Sequence, residues 1–282
     1  MYKVLYNKKI SVNSYEMAII APHIIEKFIP GQFIIIMAYE DSERIPLTVY
    51  DYDKEKGIIY LIYQVVGAST LELSNIKKEI FSISGPLGNG NEICLNPNNY
   101  REKRICYVAG GVGIAPVYPQ IKYLNELGLK VDVIYGAKNV GLLLIRQKIE
   151  KVVNKIRYAT DDGSFGTKGF VTDILEKYIN DYDIVVAIGP VIMMKNIVDV
   201  TNKHNVKSIV SMNPLMVDGS GMCGACRCEV DGKVKFACIH GPEFPGDKVN
   251  FDLALKRMNI YKEEEKEKLD LINKKLGGKK DE

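Results

Sequence analysis

The stretch that decides the fold is residues 104–116, which read Arg-Ile-Cys-Tyr-Val-Ala-Gly-Gly-Val-Gly-Ile-Ala-Pro. A short, mostly apolar run typical of a buried strand is followed at once by glycines and by the beginning of a helical pattern. Glycines at such a turn let the backbone approach a pyrophosphate, which rests on the helix N-terminus. Tight packing alone is the alternative explanation, because the spacing is not that of the G-x-G-x-x-G fingerprint.

The same strand-and-helix pattern continues along the chain from residue 98 to residue 211, with repeats at intervals of about 25 residues. We expect strands at 104–109, 131–135, 156–160, 184–188 and 207–211, and helices at about 114–127, 142–154, 169–179 and 191–203. This alternation predicts an α/β domain with a doubly wound, five-stranded parallel sheet. Its ligands should bind beyond the carboxyl ends of the strands.

Glycines and small polar residues follow the other strands of this predicted sheet as well. The candidates are Gly136, Asp161, Asp162, Gly189, Pro190 and Met193. Because the carboxyl ends of parallel strands meet at one edge, these residues are expected to line one crevice. The two aspartates would repel a 2′-phosphate, which favours NAD over NADP, although acidic residues in turns also act simply as caps.

Residues 1–97 show a different pattern, in which short β-rich runs are separated by turn signals. The runs lie at 16–20, 32–37, 47–50, 58–66 and 80–84. Evenly spaced short strands without long helices predict an antiparallel barrel or sandwich. One helix is predicted at 69–76, where Ser69 or Thr70 can act as the cap after Gly67. Its first amides would then be free to bind an anion.

Residues 212–251 break the alternation and carry four of the six cysteines. The candidate ligands in the pattern Asp-x4-Cys-x2-Cys-x11-Cys are Asp218, Cys223, Cys226 and Cys238. The spacing is that of plant-type 2Fe-2S proteins, with aspartate in place of the first cysteine. A structural zinc site and free thiols are the alternatives. Cys228 shares a strand face with Cys226, so it is either an exchangeable ligand or an adjacent non-ligand thiol.

Composition excludes several classes of protein. The 282 residues are 46% hydrophobic and 26% charged, which is ordinary for a globular chain and excludes wholesale disorder. The net charge of +3 is spread along the chain, so neither nucleic acid nor a membrane surface is an expected partner. No apolar run reaches the roughly 18 residues of a membrane span, and the N-terminus lacks a secretory pattern, which predicts a cytoplasmic protein. Residues 252–282 are expected to form a charged, solvated helix.

Several motifs taken together resemble those of the ferredoxin reductase-like flavoproteins over nearly the whole chain. Within that family the chain resembles the small subunits of NADH-dependent ferredoxin:NADP+ oxidoreductases, with electron-transfer subunits of dihydroorotate dehydrogenase as close relatives. Besides the cysteine module, the motifs are Pro-Gly-Gln-Phe at 30–33, Arg-Ile-Pro-Leu-Thr at 44–48, Gly-Ala-Ser-Thr at 67–70, Gly-Pro-Leu-Gly at 85–88, Ala-Gly-Gly-Val-Gly at 109–113 and Gly-Pro at 189–190.

This resemblance implies a six-stranded FAD-binding barrel at 1–97, an NAD(P)-binding domain at 98–211, a 2Fe-2S module at 212–251 and a helical tail at 252–282. It places Pro46, Leu47 and Thr48 beside the isoalloxazine. Ribityl and phosphate contacts are implied for Ile62, Tyr63 and Gln64, and a pyrophosphate anchor for Gly67, Ser69 and Thr70. The nucleotide turn would comprise Gly110, Gly111, Gly113, Ile114, Ala115 and Pro116.

The chain departs from the family pattern at four positions. The arginine expected at position 45 is found at Arg44, which a strand would turn to the opposite face, so its FAD phosphate contact is open to test. Leu47 replaces a tyrosine, and Ile188 replaces a cysteine near the nicotinamide. Asp218 in the first ligand position resembles the ferredoxin:NADP+ oxidoreductase subunit rather than the dihydroorotate-linked one, which usually has four cysteines.

The resemblance implies that hydride passes between NAD(H) and FAD and that single electrons pass through the 2Fe-2S cluster. No catalytic acid–base residue is expected, because the cofactors supply the chemistry. It also implies a larger glutamate synthase-like partner with FAD and 4Fe-4S clusters, where electrons bifurcate between NADP+ and, indirectly, ferredoxin. The alternatives are a dihydroorotate-linked electron-transfer subunit and, in another class, a zinc-stabilised nucleotide-sensing module without turnover.

Overall fold

The structure is a computed structural model that describes residues 1–277, and these residues form two seven-stranded sheets and a two-stranded hairpin. The predicted combination of an antiparallel barrel, a parallel α/β sheet and a small C-terminal module is confirmed. Within the described residues, no helix has the length and apolar character to cross a membrane.

The first sheet is antiparallel and curls into a near-closed barrel. Its strands are β1 (Tyr2–Lys9), β2 (Ser14–Ile20), β3 (Phe33–Met37), β4 (Arg44–Asp53), β5 (Ile58–Gln64), β6 (Glu79–Ile80) and β7 (Ser82–Leu87). Their order in the sheet is β6-β1-β2-β5-β4-β3-β7. The helices in this part are α1 (Pro22–Ile25), α2 (Ala68–Asn75) and α3 (Glu92–Leu95). Isoleucines, leucines and valines that point inward fill the barrel.

Three features of the barrel differ from the sequence-based expectation. Strand β1 is not predicted, because apolar and polar residues do not alternate along it: Val4 is buried, but the apolar Leu5 that follows is exposed. The barrel sheet also has seven strands rather than six, since the two-residue strand β6 pairs with β1 at Tyr2 and Lys3. Strand β4 is longer than expected and carries a bulge between Val49 and Asp51.

The second sheet holds five long parallel strands, as predicted. They are β8 (Ile105–Gly110), β9 (Asp132–Ala137), β10 (Lys155–Thr160), β12 (Ile184–Ile188) and β13 (Lys207–Ser211), and the short β11 (Thr167–Lys168) lies at the edge beside β10. The order from that edge is β11-β10-β9-β8-β12-β13. The order reverses at β8, so the crevice beyond its carboxyl end is the switch point at which such sheets bind ligands.

Four helices pack on the parallel sheet: α4 (Ile114–Glu126), α5 (Arg146–Ile149), α6 (Val171–Tyr178) and α7 (Val191–Lys203). The prediction of a helix over 142–154 was wrong in length. Asn139 caps a short 3-10 turn by accepting a hydrogen bond from the Gly141 N–H at 3.0 Å. Ile145 has a φ of 47°, which no continuous right-handed helix can contain, so α5 begins only after it.

The C-terminal part holds the hairpin of β14 (Arg227–Val230) and β15 (Lys233–Phe236), the helix α8 (Ala237–His240) and the strand β16 (Glu243–Pro245). Strand β16 pairs antiparallel with β13 and so attaches this part to the parallel sheet. The expected single helix over 252–282 is instead two helices, α9 (Phe251–Arg257) and α10 (Lys262–Gly277). The end of that expected helix, 278–282, lies outside the described residues.

Candidate functional site

A cleft of about 480 Å³ lies where the barrel, the carboxyl edge of the parallel sheet and the C-terminal part meet. Fourteen of the residues singled out from the sequence lie in its wall. They are Pro46, Leu47, Thr48, Ile62, Tyr63, Gln64, Thr70, Gly110, Gly111, Gly113, Ala115, Pro116, Gly189 and Pro190. Segments up to about 140 residues apart in sequence therefore converge on one cavity.

The glycines at the end of β8 and in the turn that follows have two kinds of surroundings. A Cβ at Gly113 would collide with the carbonyl of Ile188, and one at Gly110 would collide with the sulfur of Met193, so these two glycines permit close packing. Gly111 has a φ of +56°, and a Cβ there would meet no atom within 4 Å. The space in front of Gly111 and of the α4 N-terminus is therefore open to a ligand.

The N-terminus of α2 is where the sequence predicts a second anion site. Thr70 Oγ1 accepts hydrogen bonds from the N–H groups of Val66 and Gly67, each at 3.1 Å, so the turn is closed on itself. Ser69 Oγ donates to the Glu43 carboxylate at 2.7 Å, and Lys268 lies 2.7 Å from the other oxygen of that carboxylate. The hydrogen bond from Lys268 lowers the pKa of Glu43. Ser69 is therefore held by an acidic side chain outside the cleft wall.

The remaining predicted nucleotide residues lie behind or beside the cleft. Ile114 is buried at the beginning of α4, and Gly136 is buried against Val171. Asp161 is exposed on the turn after β10. Asp162 caps the same turn by accepting a hydrogen bond from the Ser164 N–H at 2.9 Å. The interaction with Ser164 lowers the pKa of Asp162.

Arg44 lies outside the cleft wall and points to the cysteine-bearing part of the chain. Its Nε donates to the Val217 carbonyl at 2.9 Å, and its Nη2 is 3.4 Å from the Asp218 carbonyl. Gly219 follows with a φ of +76°, and a Cβ there would lie 2.6 Å from Leu87 and 3.1 Å from Ile35. The loop that carries Asp218 therefore rests directly on strands β3 and β7 of the barrel.

Two of the four candidate metal ligands form a close pair of sulfurs. The sulfurs of Cys226 and Cys238 are 3.2 Å apart. The Asp218 carboxylate folds over the other end of the loop and accepts hydrogen bonds from the N–H groups of Ser220 at 2.8 Å and Cys223 at 3.0 Å. In the part of the chain that the structure describes, no three such donors converge on a single point. The Cys226 and Cys238 sulfurs are therefore the close donor pair among these four residues, and Asp218 contacts Cys223 through the Cys223 backbone N–H.

The thiols of this part differ in their surroundings. Burial raises the pKa of Cys238 to about 12, with the hydrogen bond to Cys226 as the next cause. Cys228 is buried with its sulfur 3.7 Å from the Cys226 carbonyl, and burial raises its pKa to about 11. Such thiols lose their protons on binding a metal rather than spontaneously at neutral pH. Cys94 and Cys106 lie buried elsewhere, as core residues.

Sequence reasoning missed several residues at the site. The cleft wall includes Ser211, Asn213 and Met216, which lie at and after the carboxyl end of β13. The strand-end rule could have found Ser211, since the rule had been applied to the preceding strands. Glu243 also carried no sequence signal. Its carboxylate accepts hydrogen bonds from Asn91 of the barrel part at 2.6 Å and from Gln120 of α4 at 2.8 Å.

Two protein-family models match separate parts of the chain between residues 107 and 250. Residues 107–199 match the oxidoreductase NAD-binding domain. Residues 213–250 match the iron–sulfur cluster binding domain of dihydroorotate dehydrogenase B. The fold and the site thus define a ferredoxin reductase-like oxidoreductase that uses FAD, an iron–sulfur cluster and NADH.

Similarity to individual proteins narrows this class. The chain is 42% identical over 269 residues to the dihydroorotate dehydrogenase B electron transfer subunit homolog of Thermotoga maritima, covering 94% of this chain and 93% of that one. It is 35% identical over 250 residues to the Clostridium acetobutylicum electron transfer subunit, covering 88% and 95%. The chain therefore belongs to the family of dihydroorotate dehydrogenase B electron-transfer subunits.

A solved structure shares the whole architecture. It is that of an NADH-dependent reduced ferredoxin-NADP oxidoreductase, studied for flavin-based electron bifurcation. The TM-score is 0.88 at 39% identity, and the match covers 96% of this chain and 97% of that one. The predicted resemblance to this branch of the flavoproteins is confirmed.

Proposed function

We propose that this chain is the electron-transfer subunit of an electron-bifurcating NADH-dependent ferredoxin:NADP+ oxidoreductase. One observation supports this most directly. The cleft shared by the barrel and the parallel sheet adjoins the loop of Asp218, which rests on the barrel strand β3 through Gly219. Two redox groups held in these places would be close neighbours, which electron transfer between them requires.

The cleft fits a flavin and a nicotinamide. Pro46, Leu47 and Thr48 would hold the isoalloxazine from the barrel side, where Leu47 supplies an aliphatic surface in place of an aromatic ring. The open space in front of Gly111 and the N-terminus of α4 would hold the nucleotide pyrophosphate. When bound, FAD exchanges hydride with NADH and transfers electrons one at a time to the cluster. The residues of the chain position the cofactors and exclude water, and they do not need to supply protons.

The paired donors fit a two-iron cluster better than a single zinc ion. Zinc requires four donors around one point, whereas a 2Fe-2S cluster takes two donors at each of two irons. The paired sulfurs of Cys226 and Cys238 would bind one iron. The Asp218 carboxylate, which accepts a hydrogen bond from the Cys223 N–H, would bind the other iron together with the Cys223 thiol. We therefore propose these four residues as ligands, with Cys228 as a neighbouring thiol that does not bind the cluster.

Asp218 supports the bifurcating enzyme over its dihydroorotate-linked relative. The resemblance associates an aspartate in the first ligand position with the ferredoxin:NADP+ oxidoreductase subunit, and four cysteines with the dihydroorotate-linked one. Several relatives of the chain are nevertheless described as dihydroorotate dehydrogenase B electron transfer subunits. The second candidate function is therefore electron transfer to a dihydroorotate-oxidising subunit.

The proposal includes a larger glutamate synthase-like partner with its own FAD and 4Fe-4S clusters, and a cytoplasmic location. The test is to isolate the chain without oxygen from its native source together with the proteins bound to it. Reduction of ferredoxin with NADPH as donor, dependent on NAD+, by that complex supports the proposal. Oxidation of dihydroorotate coupled to NAD+ supports the alternative, and zinc without flavin or iron contradicts both.

Preference for NADH over NADPH is the next prediction. Asp161 and Asp162 lie together on the turn after β10, and a 2′-phosphate that approached this turn would be repelled by them. We expect kcat/KM for flavin reduction to be at least about tenfold higher with NADH, which corresponds to about 1.4 kcal/mol. Stopped-flow bleaching of the flavin with each nucleotide measures it. An Asp161→Asn variant should lower the ratio of kcat/KM with NADH to that with NADPH. Equal values with the two nucleotides in the native chain would contradict the predicted preference for NADH.

Replacement of the oxygen ligand gives a further prediction. A thiolate donates more electron density to iron than a carboxylate does, so we expect Asp218→Cys to lower the midpoint potential of the cluster. A redox titration followed by electron paramagnetic resonance measures the potential, and the spectrum should change with it. Ser220→Ala is the control, because it lies in the same loop, is not a proposed ligand and keeps the backbone N–H that bonds the Asp218 carboxylate. A potential and spectrum identical to those of the native protein would remove Asp218 from the ligand set.

A further inference from the structure

Arg44 is an unusual residue because it joins the barrel to the proposed cluster loop. Its guanidinium donates to two successive carbonyls, that of Val217 at 2.9 Å through Nε and that of Asp218 at 3.4 Å through Nη2. A planar guanidinium holds two acceptors in a fixed mutual orientation, which a lysine ammonium does not do. The peptide group between Val217 and Asp218 is therefore fixed relative to the strand that carries Arg44.

That strand is β4, which also lines the cleft. Residues 44, 46 and 48 of a strand point to one face, so Arg44 shares a face with Pro46 and Thr48. In the ladder between β3 and β4, Arg44 pairs with Met37 and Pro46 pairs with Ile35. Ile35 is also one of the two side chains on which Gly219 rests. The position of the loop is thus set by the same strands that would hold the flavin.

The contact leaves the proposed ligand atoms free. Arg44 bonds the backbone carbonyl of Asp218, whereas the carboxylate of that residue turns toward the N–H groups of Ser220 and Cys223. Among the side chains that the structure describes, those of residues 1–274, no salt bridge involves the Asp218 carboxylate. Arg44 can therefore orient this residue without competing with iron for its oxygens.

Two other arginines hold the opposite end of the same loop. Arg227 donates to the Gly224 carbonyl at 3.1 Å, and Arg257 of α9 donates to the Ala225 carbonyl at 3.2 Å. Both belong to the C-terminal part of the chain, so they stabilise the loop within its own module. Of the three, Arg44 comes from the barrel, and its contact spans 173 positions of sequence.

We propose that Arg44 is a positioning residue that fixes the Asp218 end of the cluster loop against the flavin-facing strand. Arg44 would thereby set the orientation of the oxygen ligand and the separation between flavin and cluster. The inference rests on the proposed function, because it requires that Asp218 bind the cluster. It assigns Arg44 to the cluster rather than to a phosphate of FAD.

The test compares Arg44→Lys and Arg44→Ala in the full chain with an Arg101→Ala control, whose arginine is exposed and bonded to Asn98. We expect both Arg44 variants to keep FAD and to be reduced by NADH within about twofold of the native rate, since the flavin wall is unchanged. Transfer from flavin to cluster should be slowed about tenfold. Electron paramagnetic resonance should show a broadened, heterogeneous cluster signal.

The two variants separate charge from position. Lysine retains the positive charge, so Arg44→Lys should keep a potential near the native value but show the altered signal and the slow transfer. Alanine removes the charge, so Arg44→Ala should also have a lower potential. Loss of the cluster with FAD retained likewise supports the proposal, because the loop would then be misplaced.

Three results would overturn the inference. Loss of FAD from either variant would return Arg44 to the phosphate-binding role. If Arg44→Lys has the native cluster signal and the native rate of transfer from flavin to cluster, then only the positive charge of Arg44 matters and not its geometry. If Arg44→Ala has the native cluster signal, potential and transfer rate, then Arg44 has no role in positioning the cluster loop. Failure of the proposed function is distinguishable from failure of the inference about Arg44. The proposed function fails if the native protein holds no cluster, or if the cluster spectrum is the same in Asp218→Cys as in the native protein, whatever the Arg44 variants show.

Discussion

Replacing Cys226 or Cys238 by alanine is expected to abolish the iron–sulfur cluster while FAD remains bound. The two sulfurs lie 3.2 Å apart and constitute one donor pair, so the loss of either leaves one iron with a single protein ligand. The cleft wall contains neither cysteine, so the flavin site should persist. We expect iron and acid-labile sulfide to fall to background, and NADH to bleach the flavin without producing the paramagnetic signal of a reduced cluster.

Two cysteine variants provide the matched controls. Cys228→Ala removes a buried thiol two residues beyond Cys226, and Cys106→Ala removes one from the core of the parallel sheet. Both should retain iron, sulfide and the paramagnetic signal. A cluster lost in Cys228→Ala but kept in Cys226→Ala would show that Cys228 is the ligand. Native iron content in both Cys226→Ala and Cys238→Ala would contradict the proposed module.

Glu243 is expected to make the stability of the protein depend on pH. Its partly buried carboxylate lies at the junction of β16, α4 and the barrel part, and burial raises its pKa to about 7. The hydrogen bonds from Asn91 and Gln120 act in the opposite direction and only partly offset this rise. The ordinary pKa of the group is 4.5, so between these two values the folded state binds more protons than the unfolded state.

The sign of the effect follows from this difference in proton binding. Stability contributed by the protonated carboxyl is fully present below about pH 4.5 and is lost as the pH rises through about 7. We expect the free energy of unfolding to fall by about 2 kcal/mol over this range. This value is smaller than the pKa difference alone would give, because the carboxylate is partly exposed and solvent screens its charge. Unfolding by urea at intervals between pH 5 and pH 8 measures it.

Glu243→Gln should remove most of this dependence, because a carboxamide remains neutral throughout the range. Within the described residues, Gln120 Oε1 has no hydrogen-bond partner, so the new amide group has an acceptor available. The variant should match the native protein near pH 5 and exceed its stability by about 2 kcal/mol at pH 8. Glu26→Gln, at an exposed position of the barrel part, is the control. A Glu243→Gln profile parallel to the native one would contradict the role of Glu243.

The sequence was most informative where a local pattern carries the structure. Alternating strand and helix patterns predicted five parallel strands, all of which are present with their ends shifted by no more than a residue or two. The glycines after β8 marked the turn into α4, because only residues without a Cβ allow the packing seen at Gly110 and Gly113. Strand β1 escaped prediction because hydrophobicity does not alternate along its sequence, since Leu5 is apolar yet exposed beside the buried Val4.

The candidate site was predictable in part for the same reason. Residues at strand ends and in the glycine turn converge on the cleft, since parallel strands bring their carboxyl ends to one edge whatever the remaining sequence. Asp162 was open to two interpretations, and its hydrogen bond to Ser164 shows that it caps a turn. The structure leaves Asp161 exposed beside it on the same turn.

The sequence by itself determined the order of barrel, parallel sheet and cysteine-bearing module, because hydrophobic period, glycine placement and cysteine spacing are local properties. Only the tertiary structure decided the partners of Arg44 and Glu243. Arg44 meets a carbonyl 173 positions away, and Glu243 meets an amide 152 positions away. Such contacts depend on how separately folded parts dock, and no periodicity within a segment encodes which polar side chains will face each other across those junctions.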